Sequence, residues 1–579
     1  MLGFTCARYP LRPTSPLHPD PRRAALRSSM TVSPSDLDAR FDRIVERWFR
    51  QRLRLQPELA TFLGIHDYDH LLSSASRDAV EEEVQLLRDA IVEMERLPAG
   101  DLSAERSLDR DLVLHESRLR LFQLTERKAW AARSDAAETL GEALFLLFAR
   151  DFAPLPERLE SIASRMEAAP AMFADARRRV TDPVRLWAEF ELEGDAALPA
   201  FLDTILAAAR SERAPATLVE RLARAANGVR DALDTHDRWL RDDVIPHAEG
   251  EWHAGPERFE ELVRLRELEA SGDEILAIGE EMLAESHAER DAICAEIDPT
   301  LSPAEVGDAV KDDHPATFPE ALEEYRSAMD RARRFVVDHN LATMPDQDTL
   351  IVTETPSFLR HMIPFAAYYE PAKFDAVPVG TYIVTPPATP EMMREHNYSS
   401  ISNTSVHEAY PGHHLQLAAA SSNPSLVRLL STAPEFAEGW AFYTERMMKK
   451  HGFDNTPRHR YAQLTDVIWR ATRIILDVQL HRGQIGFEEA VDRLVAETGF
   501  ERPAALAEVK RYTSTPTYQL SYLYGRHMIE RLKHDVERRM GPAFSLKFFH
   551  DTLIYGGTMP VSHARRLFEI KLQPDARDR

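Results

Sequence analysis

Residues Ser405 to Leu417 read S-V-H-E-A-Y-P-G-H-H-L-Q-L, and the way this stretch folds decides what must surround it. His407 and Glu408 stand at its start, His413 and His414 near its end, and Pro411-Gly412 lies between them. Imidazoles with a nearby carboxylate supply what a catalytic zinc needs, three protein ligands and one position left for water. The common helical form is H-E-x-x-H, whose histidines share one face at i and i+4 while the Glu acts as base. Here position i+4 is Pro411, so the plain motif is absent. On an unbroken helix His413 would lie about 240° round from His407, and His414, on the correct face, would lie roughly 10 Å further along the axis. Neither could share an ion whose nitrogen ligands sit about 2.0–2.1 Å from it. A break is required. Pro411 supplies it by removing the bond back to the His407 carbonyl and by pushing Tyr410 off helical angles. Gly412 then permits an unusual backbone angle. The segment reads as H-E-x-x-H with a Pro-Gly pair inserted before the second ligand.

A third ligand is sought downstream in A-P-E-F-A-E-G-W-A-F-Y-T-E-R-M-M, Ala433 to Met448, where Glu435, Glu438 and Glu445 are candidates. Glu438 follows His413 by 25 residues, room for one helix to finish, a turn at Ser421-Ser422-Asn423-Pro424, and a second helix to return.

The string H-E-A-Y-P-G-H-H-L-Q resembles the H-E-x-x-P-G-H-x-x-Q signature of the DUF885 family, which is grouped with gluzincin-type zinc metallopeptidases. The resemblance implies one zinc ion at His407 and His413, Glu408 as base, and a third ligand from a following helix. Glu438, standing in E-G-W-A, is similar to the Glu-Gly segment of that helix. Glu435, one turn earlier, is placed as an orienting partner of a ligand His. His414 falls where the pattern is open and ranks below His413.

The rest of the chain sets the frame. Its 579 residues allow two to four domains. Scarce Gly and abundant Ala, Leu, Glu and Arg predict a mainly helical protein. A formal charge of −23 argues against broad nucleic-acid or anionic-membrane binding. Two cysteines, Cys6 and Cys294, exclude a disulfide framework or a Cys-rich metal site. No apolar run reaches the roughly 18 residues that span a bilayer. A soluble, cytoplasmic protein is expected, with a secreted or periplasmic one left open and the oligomeric state unread. Residues 1–29, rich in Pro and Arg, lack the apolar core of a secretory signal and are expected to be a disordered tail.

Residues 30–340 show repeated helical spacing, as in Leu37, Phe41, Ile44, Val45, Trp48 and Phe49, and are expected to form a scaffold lobe. Residues 341–579 are expected to form the catalytic region, the two lobes sharing one cleft. Pro-rich joints near 152–156, 299–303 and 314–319 mark element boundaries. Between Thr349 and Pro387, T-L-I-V-T-E-T-P and V-G-T-Y-I-V-T-P-P read as short strands. By resemblance the strand around Gly380 to Thr385, carrying Tyr382, is the expected edge that pairs with an extended substrate. The expected fold is mainly α, a large multi-helix gluzincin-like shell with a small sheet beside the cleft.

Lys510 to Arg526 reads K-R-Y-T-S-T-P-T-Y-Q-L-S-Y-L-Y-G-R and is rich in Tyr. Hydrolysis of an amide creates an oxyanion that needs a donor beyond the metal, and a Tyr hydroxyl is protonated at neutral pH. The segment resembles the family's C-terminal R-Y…P…S-Y…G pattern. Tyr522 is the first choice of donor and Tyr512 the second, with Arg511 and Arg526 as holders of a substrate carboxylate. His361 and His396 flank the expected edge strand as reserve donors. Together these readings give a zinc-dependent peptidase of short peptides. The alternatives are a zinc amidase or esterase acting on a non-peptide substrate, and a catalytically silent helical scaffold.

Overall fold

The computed structural model describes residues 36–356, 360, 363 and 365–572. The tail expected over residues 1–29 and the reserve donor His361 lie outside the described residues. The chain is mainly helical with one small sheet.

Helix Asp36–Leu55 buries Phe41, Ile44, Val45, Trp48 and Phe49, the stripe that its spacing predicts. The Pro-rich joints become helix starts: Pro303 and Pro319 occupy first-turn positions, where a missing N–H costs nothing. Ser302 and Thr317 close capping boxes with Glu305 and Glu320. Two helices of the front half matter later, α1 (Arg185–Asp195) and α2 (Ala216–Trp239). Helix α3 (Phe318–Asp338) then leads into the sheet.

The sheet holds β1 (Leu350–Glu354), β2 (Ala366–Tyr369) and β3 (Gly380–Val384) in the order β1-β3-β2. Strand β1 runs parallel to β3 with Val352 opposite Tyr382, and β2 runs antiparallel to it with Tyr368 opposite Tyr382. The expected substrate edge is therefore corrected: β3 is the central strand. Both its hydrogen-bonding sides are taken, and Tyr382 is buried against Tyr325. A strand paired on both sides has no free backbone groups for a substrate. The β2 segment at Tyr368-Tyr369, too short to announce itself by alternation, closes one of those sides.

The C-terminal region supplies α4 (Tyr398–Glu408), α5 (His413–Ser421), α6 (Pro434–Lys450), α7 (Pro457–His481), α8 (Arg502–Ser514) and α9 (Leu523–Met540). One core runs from Phe41 through Tyr325 and Trp440 to Phe568, so residues on both sides of position 340 fill the same interior. A buried ion pair, Arg428 to Asp109 at 2.6 Å, ties the two parts again. A smaller core lies within the front half, from Ala75 to Leu233, and takes in Ile383 of β3. Among the described residues no helix is long and apolar enough to cross a membrane.

Helices α6 and α9 meet through glycines. A Cβ on Gly525 would lie 2.3 Å from the Glu435 carbonyl oxygen, and one on Gly439 would lie 2.5 Å from the Gly525 carbonyl carbon. The clashing atoms are backbone and cannot swing aside. Gly525→Ala is expected to cost about 1–3 kcal/mol by forcing the helices apart, read as an earlier midpoint in denaturant unfolding; an unchanged midpoint would show that the crossing has slack.

Candidate functional site

Helix α4 is polar yet buried. Ser399, Ser402, Asn403 and Ser405 are all buried, so much of its buried surface needs hydrogen-bond partners rather than apolar neighbours. Asn397 caps it by accepting from the Ser400 amide. Asn403 and His407, one turn apart, both donate to Glu445 of α6: Asn403 Nδ2 to Oε2 at 3.1 Å and His407 Nδ1 to Oε1 at 2.7 Å. Glu445 is 2% exposed and Glu438 lies two turns earlier on the same helix. With Nδ1 turned to a carboxylate, His407 Nε2 faces the other way, toward Glu438 Oε2 at 3.7 Å.

The break after α4 brings the second imidazole round. The amide of Gly412 bonds back to the Val406 carbonyl at 3.0 Å, and Trp440 Nε1 donates to the Pro411 carbonyl at 2.8 Å. Gly412 has φ −67° and ψ −135°, outside both the helical and the extended regions, so the expected unusual backbone angle lies in ψ. What demands glycine is contact: a Cβ there would lie 1.8 Å from the His407 carbonyl oxygen and 2.3 Å from that of Val406. His413 then opens α5 with its ring edge-on to His407, centroids 4.9 Å apart. Its Nε2 lies 3.4 Å from Glu438 Oε2.

His407, His413 and Glu438 thus offer three donor atoms within 4.8 Å of one another. Glu438 Oε2 is buried with no hydrogen-bond partner, and the two imidazoles stand beyond good hydrogen-bonding distance. Burial opposes charge on Glu438, but the neighbouring His413 and His407 hold its carboxyl well below the usual range. Two nitrogens and one oxygen converging on an orphaned buried atom fit a divalent metal of the zinc type.

His414 turns away. It accepts from the Tyr368 hydroxyl at 2.9 Å and donates to the Asp348 carbonyl at 3.3 Å, packing so tightly on Gly380 that a Cβ there would lie 2.5 Å from its ring. Glu408 is half-buried on the sheet side, and its charge, together with burial, raises the pKa of Tyr325, Tyr368 and Tyr382.

The other sequence candidates divide. Glu435 orients no histidine: it pairs with Arg266 at 2.5 Å, and the same guanidinium holds the Thr517 carbonyl and Ser521 Oγ. The orienting carboxylate is Glu445. Tyr522 packs edge-on to Phe442 at 6.1 Å beneath the Arg473 guanidinium, and its ring stands edge-on to that of Tyr518, centroids 6.1 Å apart. Tyr518, which the sequence reading passed over, feels the Glu438 charge directly and borders a cavity of about 750 Å³ shared with Glu435, Arg266 and Arg127. Its signal was position, since Pro516-Thr517 bends the chain just before it. Thr517 has φ +69°, a left-handed value costly for a β-branched residue, and its amide is held by buried Asp477 at 2.8 Å.

Tyr512, Arg511 and Arg526 are not gathered with the trio. Tyr512 is fully buried, its hydroxyl accepting from Arg473 at 2.9 Å and Trp469 at 3.2 Å. Arg511 pairs with Glu508 at 2.7 Å. Arg526 is buried over Glu530 at 4.0 Å. Tyr382 lies under Glu408 rather than on an open edge, and buried His396 stacks on Phe365.

The fold and the trio define a helical protein built around a histidine–histidine–glutamate centre. The chain belongs to the family described as "Bacterial protein of unknown function (DUF885)", whose model matches residues 57–567. No curated protein matches the sequence. Among solved structures, a candidate lipoprotein of unknown function from Shewanella oneidensis is similar at 22% identity and TM-score 0.77, covering 91% of this chain and 99% of that one. A candidate lipoprotein from Colwellia psychrerythraea is similar at 17% identity and TM-score 0.78, covering 92% and 99%. At these identities the likeness is one of fold.

Glu445→Gln is expected to weaken divalent-metal binding by about 10–100-fold, because the partner that orients His407 is lost. Chelator competition on protein with unchanged circular dichroism checks this; equal affinity in both proteins would remove Glu445 from the site.

Proposed function

We propose that this protein is a zinc-dependent peptidase acting on short peptides, with His407, His413 and Glu438 holding the metal. The observation that carries the reading is the convergence of the two Nε2 atoms on the partnerless, buried Oε2 of Glu438. Zinc bound there supplies Lewis acidity toward a water and the scissile carbonyl.

The chain's own groups do the rest. Glu408 is adjacent in sequence to a ligand and accepts no hydrogen bond from a described side chain, so its carboxylate is free to take a proton from the attacking water. The same group delivers that proton to the departing amine. Tyr518, with Tyr522 behind it, donates a hydrogen bond from its hydroxyl to the oxyanion as charge develops, keeping its own proton. The cavity at Tyr518 has room for a short chain and carries Arg127 on its wall as a candidate for a substrate carboxylate, while His407, Glu408, His413 and Glu438 do not line it. The description of both solved relatives as candidate lipoproteins favours the cell envelope over the cytoplasm as this protein's location.

Glu408→Gln tests the reading. Zinc content should stay at one ion per chain in the centre, and kcat/KM on a panel of short peptides should fall by about 10²–10⁴-fold. Full turnover in that variant would end the assignment of Glu408 as base. Activity of the unaltered protein on amides or esters but on no peptide would move the reaction to a different substrate class.

A further inference from the structure

The front half holds a second convergence of metal-binding side chains, well separated in sequence from the first. Glu191 and Asp195 stand one turn apart on α1, and His236 lies near the end of α2. Their donor atoms fall within 4.8 Å of one another, as do those of His407, His413 and Glu438. Asp195 is 4% exposed and His236 is fully buried. His236 Nε2 lies 2.9 Å from Glu191 Oε1 and 3.0 Å from Ser134 Oγ.

Polar atoms here lack partners. Asp195 Oδ2 is buried with no hydrogen bond, and so is Asp237 Oδ1, whose carboxyl adjoins that of Asp195. The buried Asp195 carboxylate beside the partly buried one of Asp237, with Glu191 already taken up by His236 and Ser134, repels its neighbour unless a cation or a shared proton intervenes. The nearby cations do not serve. Arg133 is committed to Asp135 at 2.7 Å, and Arg179 donates to the Ser134 carbonyl at 2.8 Å.

We infer that Glu191, Asp195 and His236 form a second divalent-cation site, with Asp237 as a further oxygen donor. One imidazole among carboxylates suits manganese or zinc better than calcium, which takes six to eight oxygens. The ion braces α1 against α2 beside a cavity of about 650 Å³ whose opposite wall includes Lys510, Arg511 and Ser514. Helix α1 also grips α8 directly, Trp187 Nε1 to Thr513 Oγ1 at 3.1 Å and Lys510 to Glu193 at 2.9 Å. The site therefore steadies the helix that leads into Tyr518.

The test is metal stoichiometry on full-length protein stripped with chelator and dialysed against Mn²⁺ or Zn²⁺, in the unaltered chain and in His407→Ala, Asp195→Asn, His236→Gln and the double variant His407→Ala/Asp195→Asn. Two ions per chain are expected in the unaltered protein, one in each single variant and none in the double. The His407→Ala protein should still gain thermal stability from Mn²⁺, and the double variant should not. Loss of all binding in His407→Ala, or two ions retained in both Asp195→Asn and His236→Gln, overturns the inference. One ion that survives His407→Ala but not Asp195→Asn or His236→Gln upholds it and sinks the His407 centre instead. Should Asp195→Asn misfold, His236→Gln decides.

Discussion

A carboxyl sealed as deeply as Glu445 demands hydrogen-bond partners, because a polar group taken out of water and left unpaired weakens the fold that buries it. Two donors do meet it, Asn403 and His407, and both belong to one face of α4. That single arrangement sets the distance between α4 and α6 and the rotation of the His407 ring. It also decides which imidazole nitrogen is left to face Glu438. Burial of polar helix surface is thus what fixes the centre, and the apolar core around it serves to keep water from competing for those bonds.

The glycines act with it. Gly412 lets the turn after α4 close onto its own carbonyls, and Gly439 and Gly525 let α6 and α9 approach until their backbones touch. None of the three has a positive φ; each is required by what a methyl group would strike. The turn from α4 into α5 and the crossing of α6 on α9 are consequently set by backbone contact, which tolerates less displacement than side-chain packing does.

Much of this was legible in the sequence, and the reasons differ from part to part. Helical periodicity announced the front half because each helix there buries one apolar stripe. His407, His413 and Glu438 could be named as a set because the string around Pro411-Gly412 and the E-G-W-A segment resemble the family's signature; spacing alone left His414, Glu435 and Glu445 open beside them. The role of Glu445 was not readable, since nothing in E-G-W-A-F-Y-T-E says which carboxylate faces an imidazole at Nδ1 and which at Nε2. Strand β3 was found but misassigned to an edge, because pairing partners depend on tertiary placement and β2 is only four residues long. Tyr512 looked like a cleft residue for the same reason, since its partner Arg473 comes from another helix, whereas Arg511 pairs with Glu508 three residues earlier on its own helix, a spacing the sequence displays.

Thr517 carries a consequence of its own. Its left-handed backbone is disfavoured by about 1–3 kcal/mol, and it is retained by Asp477 on one side and by the Arg266–Glu435 pair on the other. These contacts are interior, so salt in the surrounding medium screens them little. The strap bearing Tyr518 behaves as a cocked latch. Release of either catch would let Thr517 relax and carry the phenol with it, so the place of that hydroxyl is set by side chains remote from it in sequence.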